Sequence, residues 1–170
     1  KVRAYLTLNT IIYSGEIEKL SKIVSEVKKA KVDGVMCWDF AVISMLKRAR
    51  VPFFISTQAS VSNVESAKFY KKLSAEGVVA ARELNLEQIK EIAEKSKIKV
   101  EAFVHGAMCV AVSGRCFTSQ FLFGKSANRG ECIQPCRREY TVTDAETGQK
   151  LSLENNFVMS PKDLCTLSFV

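Results

Sequence analysis

The sequence holds a single histidine, His105, in 170 residues. A zinc peptidase of the H-E-x-x-H kind needs two imidazoles one helical turn apart, so that chemistry is excluded. Long apolar runs are absent as well, and nothing approaches the roughly 18 residues that cross a bilayer. The opening KVRAYLTLNT lacks the charged, apolar and small-residue zones of a signal peptide. No Gly-rich phosphate loop follows any strand-like run, which leaves a nucleotide-binding Rossmann reading without its fingerprint. These absences together point to a cytoplasmic protein with no membrane partner.

What is present fits one buried core, since the chain is 47% hydrophobic over 170 residues. The opening without Met and the close on LSFV suggest a fragment. A formal charge of +7 suits contact with a polyanion such as RNA, although many lysines fall on solvated helix faces. Six cysteines are many for this length, and they are unevenly placed. Cys37 stands alone in an apolar run and reads as a small core residue. Cys109, Cys116, Cys132, Cys136 and Cys165 crowd the last third, which suggests a metal site confined to one region.

Residues 1–104 alternate short apolar runs with helical stripes. The expected strands are Val2 to Leu8, Gly34 to Cys37, Phe53 to Ser56, Gly77 to Ala80 and Lys99 to Val104. Between them lie helices from Glu16 to Lys31, from Asp39 to Arg48, from Ser62 or Asn63 to Ser74, and from Asn85 to Lys95. Such alternation implies parallel strands joined by right-handed crossovers, in a (β/α)8 barrel or an open doubly wound sheet. Five strands do not close an eight-stranded barrel, which again suggests a fragment. Beyond His105 the periodicity fades. Tyr140 to Asp144 and Gln149 to Leu153 flank a turn and predict a hairpin, and Ser160-Pro161 predicts a helix start running into Cys165.

The spacing Cys109-x6-Cys116-x15-Cys132-x3-Cys136, with Cys165 further on, is a soft-ligand pattern. It suits an iron–sulfur cluster or zinc, and buried free thiols remain the bland alternative. Zinc modules usually show two tight C-x2-C pairs, whereas these cysteines are dispersed and follow a strand.

The runs Glu101-Ala-Phe-Val-His-Gly-Ala-Met-Cys109, Ser113-Gly-Arg-Cys116-Phe-Thr-Ser119 and Asn128-Arg-Gly-Glu-Cys132-Ile-Gln-Pro-Cys136-Arg137 resemble the signature of the collagenase-like peptidases. That is family thirty-two of the peptidases of unknown catalytic type. Tyr5-Leu-Thr-Leu-Asn9, Ser56-Thr-Gln-Ala-Ser60, Ala81-Arg-Glu83 and Met159-Ser-Pro-Lys-Asp-Leu-Cys165 are also similar to it. The resemblance implies a partial TIM-like (β/α) barrel over 1–105. A Cys-rich segment with a small β-hairpin insertion would follow over 106–170, within the same domain. It further implies a 4Fe-4S cluster, with Cys109, Cys116, Cys132 and Cys165 at the usual ligand positions and Cys136 as a spare or alternate. Family members carry the name of peptidases, yet several are implicated in hydroxylating RNA bases or ubiquinone precursors, with prephenate as hydroxyl source in the tRNA branch.

Other candidates come from position. In a barrel, reactive groups gather at the C-terminal ends of strands. Asn9, Gln58, Arg82, Glu83 and His105 fall there, and Glu101 lies within the last strand; each is equally at home in a loop or cap. A Cys–His dyad of His105 and Cys109 is conceivable, but a ligated thiolate is not free to attack a peptide. Arg115, Arg129, Arg137 and Arg138 lie near the cysteines as candidate RNA or anion contacts, or as charge balance for a dianionic cluster site. Trp38, Phe117, Phe121 and Phe123 offer stacking surfaces for a flipped base, or core and pocket wall. The expected function is hydroxylation of a tRNA uridine. A peptidase is the alternative, and a non-catalytic, cluster-holding scaffold completed by a partner subunit is the third reading.

Overall fold

The computed structural model describes residues 2–150, 156–160, 163–166 and 168. Two compact units divide the chain, Lys1–Phe103 and Val104–Val170.

The first unit alternates strands β1 (Tyr5–Thr7), β2 (Gly34–Cys37), β3 (Phe53–Ile55), β4 (Gly77–Val79) and β5 (Lys99–Glu101) with helices α1 (Ile17–Ala30), α2 (Phe40–Ala49), α3 (Val64–Lys72) and α4 (Leu86–Ser96). Helix starts are set by side chains that satisfy free backbone N–H groups. Asp39 accepts from Ala41 N at 2.8 Å, Asn63 from Ser66 N at 2.8 Å, and Asn85 from Gln88 N at 2.9 Å. Of the two caps expected for α3, Asn63 is the one used.

All four strand pairs are parallel, and the strands lie side by side in chain order β1-β2-β3-β4-β5. That order settles the architecture. Right-handed crossovers between successive neighbours place every helix on one face, whereas a doubly wound sheet reverses its order midway and covers both. The unit is therefore a singly wound, partial (β/α) barrel.

Alternation along each strand sorts the side chains between the two faces. Leu6, Val35, Cys37, Phe53, Ile55, Val78 and Val100 join the helix-covered core with Leu20, Val24, Leu46 and Ile92. The opposite face carries Tyr5, Thr7, Met36, Phe54, Val79, Lys99 and Glu101. On it the Tyr5 and Phe54 rings meet edge-to-face, 5.4 Å apart and at 89°. Gly34 and Gly77 make room for them. A Cβ on Gly34 would lie 3.0 Å from the Tyr5 ring, and one on Gly77 would lie 2.7 Å from Phe54 Cδ1 and 3.1 Å from the Lys99 carbonyl oxygen.

In the second unit, β6 (His105–Gly106) pairs antiparallel with β7 (Leu164–Cys165). Helix α5 (Thr118–Phe123) and short 3-10 turns at Ala127–Arg129 and Pro135–Arg137 carry the cysteine segment. The helix expected to run into Cys165 is not formed there. Leu164–Cys165 is a strand, because the backbone and hydroxyl of Thr166 both donate to the Val104 carbonyl, at 2.9 and 2.8 Å, and so extend the pairing. Pro161 lies outside the described residues. The expected hairpin is present as a bridge between Thr143 and Lys150. Its turn is tied by the Asp144 carboxylate, which accepts from the backbone of Glu146 and Thr147. Residues 151–153 of that hairpin lie outside the described residues.

Replacing Gly77 with alanine should cost about 1–3 kcal/mol through the clash with Phe54 and the Lys99 carbonyl. Gly15→Ala, with nothing within 4 Å, should stay within about 0.5 kcal/mol of the parent. Urea midpoints at unchanged m-value measure both.

Candidate functional site

The second unit gathers four thiols round one cavity. Cys109, Cys116, Cys132 and Cys136 line a space of about 110 Å³, walled by Val110, Val112 and Pro135 among others. The local backbone is built for this return. Gly114, Gly130 and Gln134 adopt left-handed conformations, at φ of 72°, 89° and 54°, and they turn the chain back between the cysteines. Buried Pro135 then opens a 3-10 turn that presents Cys136, and the Tyr140 hydroxyl fixes that turn by donating to the Pro135 carbonyl at 2.6 Å.

Neighbouring polar groups orient the sulfurs. Cys116 N donates to Asn128 Oδ1 at 2.9 Å, and Cys116 Sγ lies 3.4 Å from the Thr118 hydroxyl. Ser119, with no exposed surface, donates to Cys132 Sγ at 4.0 Å and accepts from Ile133 N at 3.3 Å. Burial, reinforced by the charges of Cys109, Cys132 and Cys116, pushes the Cys136 thiol above its ordinary range, while Arg137 opposes the rise. Four thiolates in one place repel one another, and a cationic metal core relieves that repulsion.

The donor set is all thiol, the soft type that zinc and iron–sulfur clusters both take. A lone zinc draws each thiolate to about 2.3 Å, yet no three His, Cys, Asp or Glu side chains among the described residues are gathered as one ion requires. A cluster takes one thiolate per iron and so spreads its ligands. Cys165 stands outside the cavity lining, exposed on β7 directly opposite His105 on β6.

The four arginines have different surroundings. Arg137 donates to the Ser160 hydroxyl at 2.5 Å and forms an ion pair with Asp163, so it serves the unit's own structure. Arg138 sits 4.9 Å over the Phe123 ring in a cation–π contact. Arg115 is exposed and Arg129 half-buried. Phe117 and Phe121 are exposed too, at 71% and 88%. Trp38 is engaged within the first unit, where its indole N–H donates to the Asn9 carbonyl at 2.9 Å.

A second cavity, of about 200 Å³, opens at the C-terminal ends of the first unit's strands. Thr7, Asn9, Met36, Ser56, Thr57, Val79, Glu101, Ala102 and Phe103 line it. Of the expected catalytic residues, Glu101 belongs to this lining. Gln58, Arg82 and Glu83 do not, and His105 falls in the other unit. Gln58 Oε1 is buried without a hydrogen-bond partner among the described residues, an unsatisfied acceptor just beyond β3. Sequence reasoning missed Thr7, Ser56, Thr57 and Phe103 as wall residues. Strand-end position was the signal that could have found them.

Cys37 is wholly enclosed in the core. Burial first, and the Asp39 charge second, push its thiol up to about 12 from an ordinary 9.0. Only the thiolate alkylates, so iodoacetamide at pH 8 should spare Cys37 in the folded, metal-free chain while labelling exposed Cys109, Cys132 and Cys165; mass mapping reads this. The linkage is destabilising at high pH. The contribution of protonated Cys37 is complete below pH 9 and is lost as the pH rises towards 12.

The Peptidase family U32 profile matches residues 1–170. The chain is similar to a collagenase of Porphyromonas gingivalis, at 39% identity over 99% of this chain and 43% of that protein. It is similar to the 23S rRNA 5-hydroxycytidine C2501 synthase of Escherichia coli, at 37% identity over 95% of this chain and 24% of that protein. It is also similar to tRNA hydroxylation protein P1 of Bacillus subtilis, at 34% identity over 95% of this chain and 40% of that protein. The chain thus spans less than half the length of these relatives. The solved structure of the U32 peptidase Mk0906 superposes with a TM-score of 0.54 at 17% identity, over 63% of this chain and 47% of that one, and supports the fold alone.

Proposed function

Since the chain belongs to Peptidase family U32, we propose that it serves an iron–sulfur enzyme that hydroxylates a pyrimidine base in RNA, in the first instance a tRNA uridine. One observation carries the reading: four thiols line a single cavity in a chain similar to rRNA and tRNA hydroxylation proteins. Cys109, Cys116 and Cys132 would hold a 4Fe-4S cluster, with the fourth thiolate from Cys136 or Cys165. When bound, the cluster supplies one-electron chemistry that no side chain here provides.

The chain's own residues do the rest. The Ser119 hydroxyl, donating to Cys132 Sγ, would orient that sulfur as a ligand. Val110, Val112 and Pro135 supply the apolar part of the wall beside the sulfurs. Exposed Arg115 and Arg138 are matched to RNA phosphates or to the carboxylates of prephenate as hydroxyl donor.

A second reading, peptide hydrolysis, is favoured by the similarity to collagenase and by the His105–Cys165 cross-strand pair. Residues directly opposite in an antiparallel pair bring their Cβ atoms to about 4.5–5.5 Å, close enough for a thiol–imidazole dyad.

Protein purified without oxygen should contain about four irons and four sulfides per chain. Serine at Cys109, Cys116 or Cys132 should abolish that content, and serine at only one of Cys136 and Cys165 should do the same, identifying the fourth ligand. Nucleoside mass spectrometry of tRNA incubated with the loaded protein should show one added oxygen on uridine. Absence of iron after anaerobic reconstitution, together with cleavage of a collagen peptide that is lost in His105→Ala and Cys165→Ala, would instead establish the peptidase.

A further inference from the structure

We propose that the cavity at the C-terminal ends of β1–β5 receives the target base itself: one neutral pyrimidine ring, drawn out of its stack, and not a phosphate or carboxylate ligand. This rests on the RNA hydroxylation reading above.

Place, size, charge and wall chemistry all lead to the same occupant. Parallel (β/α) units present their reactive groups at this end of the sheet. At about 200 Å³ the cavity is smaller than the roughly 300–1,000 Å³ of ordinary small-molecule sites, so it admits a ring and leaves the ribose and phosphate outside. Its floor is firm. Tyr5 lies one rung below Thr7, Phe54 pairs in register with Met36, and the two rings meet edge-to-face on the same face.

Among the described residues the lining carries one charged side chain, Glu101, and no cation. An anionic ligand would meet repulsion with nothing to neutralise it. A ring N–H or amino group suits that carboxylate, and pyrimidines offer one or the other: uracil an imide N–H between two carbonyls, cytosine an exocyclic amine. Asn9 adds a carboxamide, with a donor and an acceptor side by side as a base edge requires. It is held in place at both ends. Its backbone carbonyl accepts from Trp38 Nε1 at 2.9 Å, and its Nδ2 donates to Ser56 Oγ at 3.3 Å. Met36 and Val79 form the apolar wall, and the Phe103 ring, 51% exposed at the rim, is placed to stack on the base. Hydrogen bonds to the base edge plus an aromatic face are what an extruded base needs.

The test is photo-crosslinking of the purified protein to a short single-stranded RNA carrying one 5-iodouridine, mapped by tandem mass spectrometry. The expected adduct falls on Phe103 or Met36 and is competed by free uridine but not by inorganic phosphate or citrate. Phe103→Ala and Glu101→Gln, both at exposed positions, should each lower its yield roughly tenfold. The map on the unaltered protein stands even if a variant folds poorly. Adducts confined to residues outside the cavity, with tRNA still hydroxylated, overturn the pocket and leave the RNA reading standing. Absence of any adduct together with absence of RNA retention overturns both.

Discussion

Everything the first unit does follows from winding a parallel sheet in one direction. Because β1 to β5 lie in chain order, the four helices share one face and the apolar side chains of that face close a core against them. The other face must be satisfied by its own side chains. Tyr5 and Phe54 pack edge-to-face on it, and they fit only because Gly34 and Gly77 give up their side chains. Towards the C-terminal strand ends Thr7, Ser56, Val79 and Glu101 are smaller or polar, and the face opens into a cavity. Floor and opening are two consequences of the same alternation.

The second unit is organised by a different force. Its apolar contribution is small, and large apolar side chains such as Phe117 and Phe121 remain in solvent. Its order comes from turns with left-handed residues, from Tyr140 on the Pro135 carbonyl, and from Ser119 and Asn128 beside the cysteines. A unit held this way has little hydrophobic stabilisation to spare, and a metal group bonded to its thiols would add folding free energy directly. The side chains that shape the cavity would then also determine whether the unit folds stably.

Much of this was legible in the sequence, for physical reasons. The β2 strand at Gly34–Cys37 and the cap Asn85 were expected where they occur, because apolar period and capping chemistry are local. Strand ends were read too long. Val2 to Leu8 narrows to Tyr5–Thr7 and Lys99 to Val104 narrows to Lys99–Glu101, since pairing with a neighbour, not propensity, decides where a strand stops. The residues around Cys165 form a strand where a helix start was expected; Val104 competes for them from sixty residues away, beyond the reach of local signals. Cys136 shares a cavity with three other cysteines through turns at Gly130 and Gln134, and spacing alone does not fix how such turns fold.

Asn9 joins three strand ends at once. It follows β1, accepts the indole N–H of Trp38 beyond β2, and donates to Ser56 beyond β3. Trp38 is the only tryptophan in the chain. The polar wall of the cavity is therefore mechanically coupled to the one fluorophore that dominates the protein's near-ultraviolet emission. Any molecule that shifts the Asn9 backbone alters the indole's hydrogen bond to its carbonyl, so the protein carries an intrinsic optical reporter one residue contact away from its own pocket.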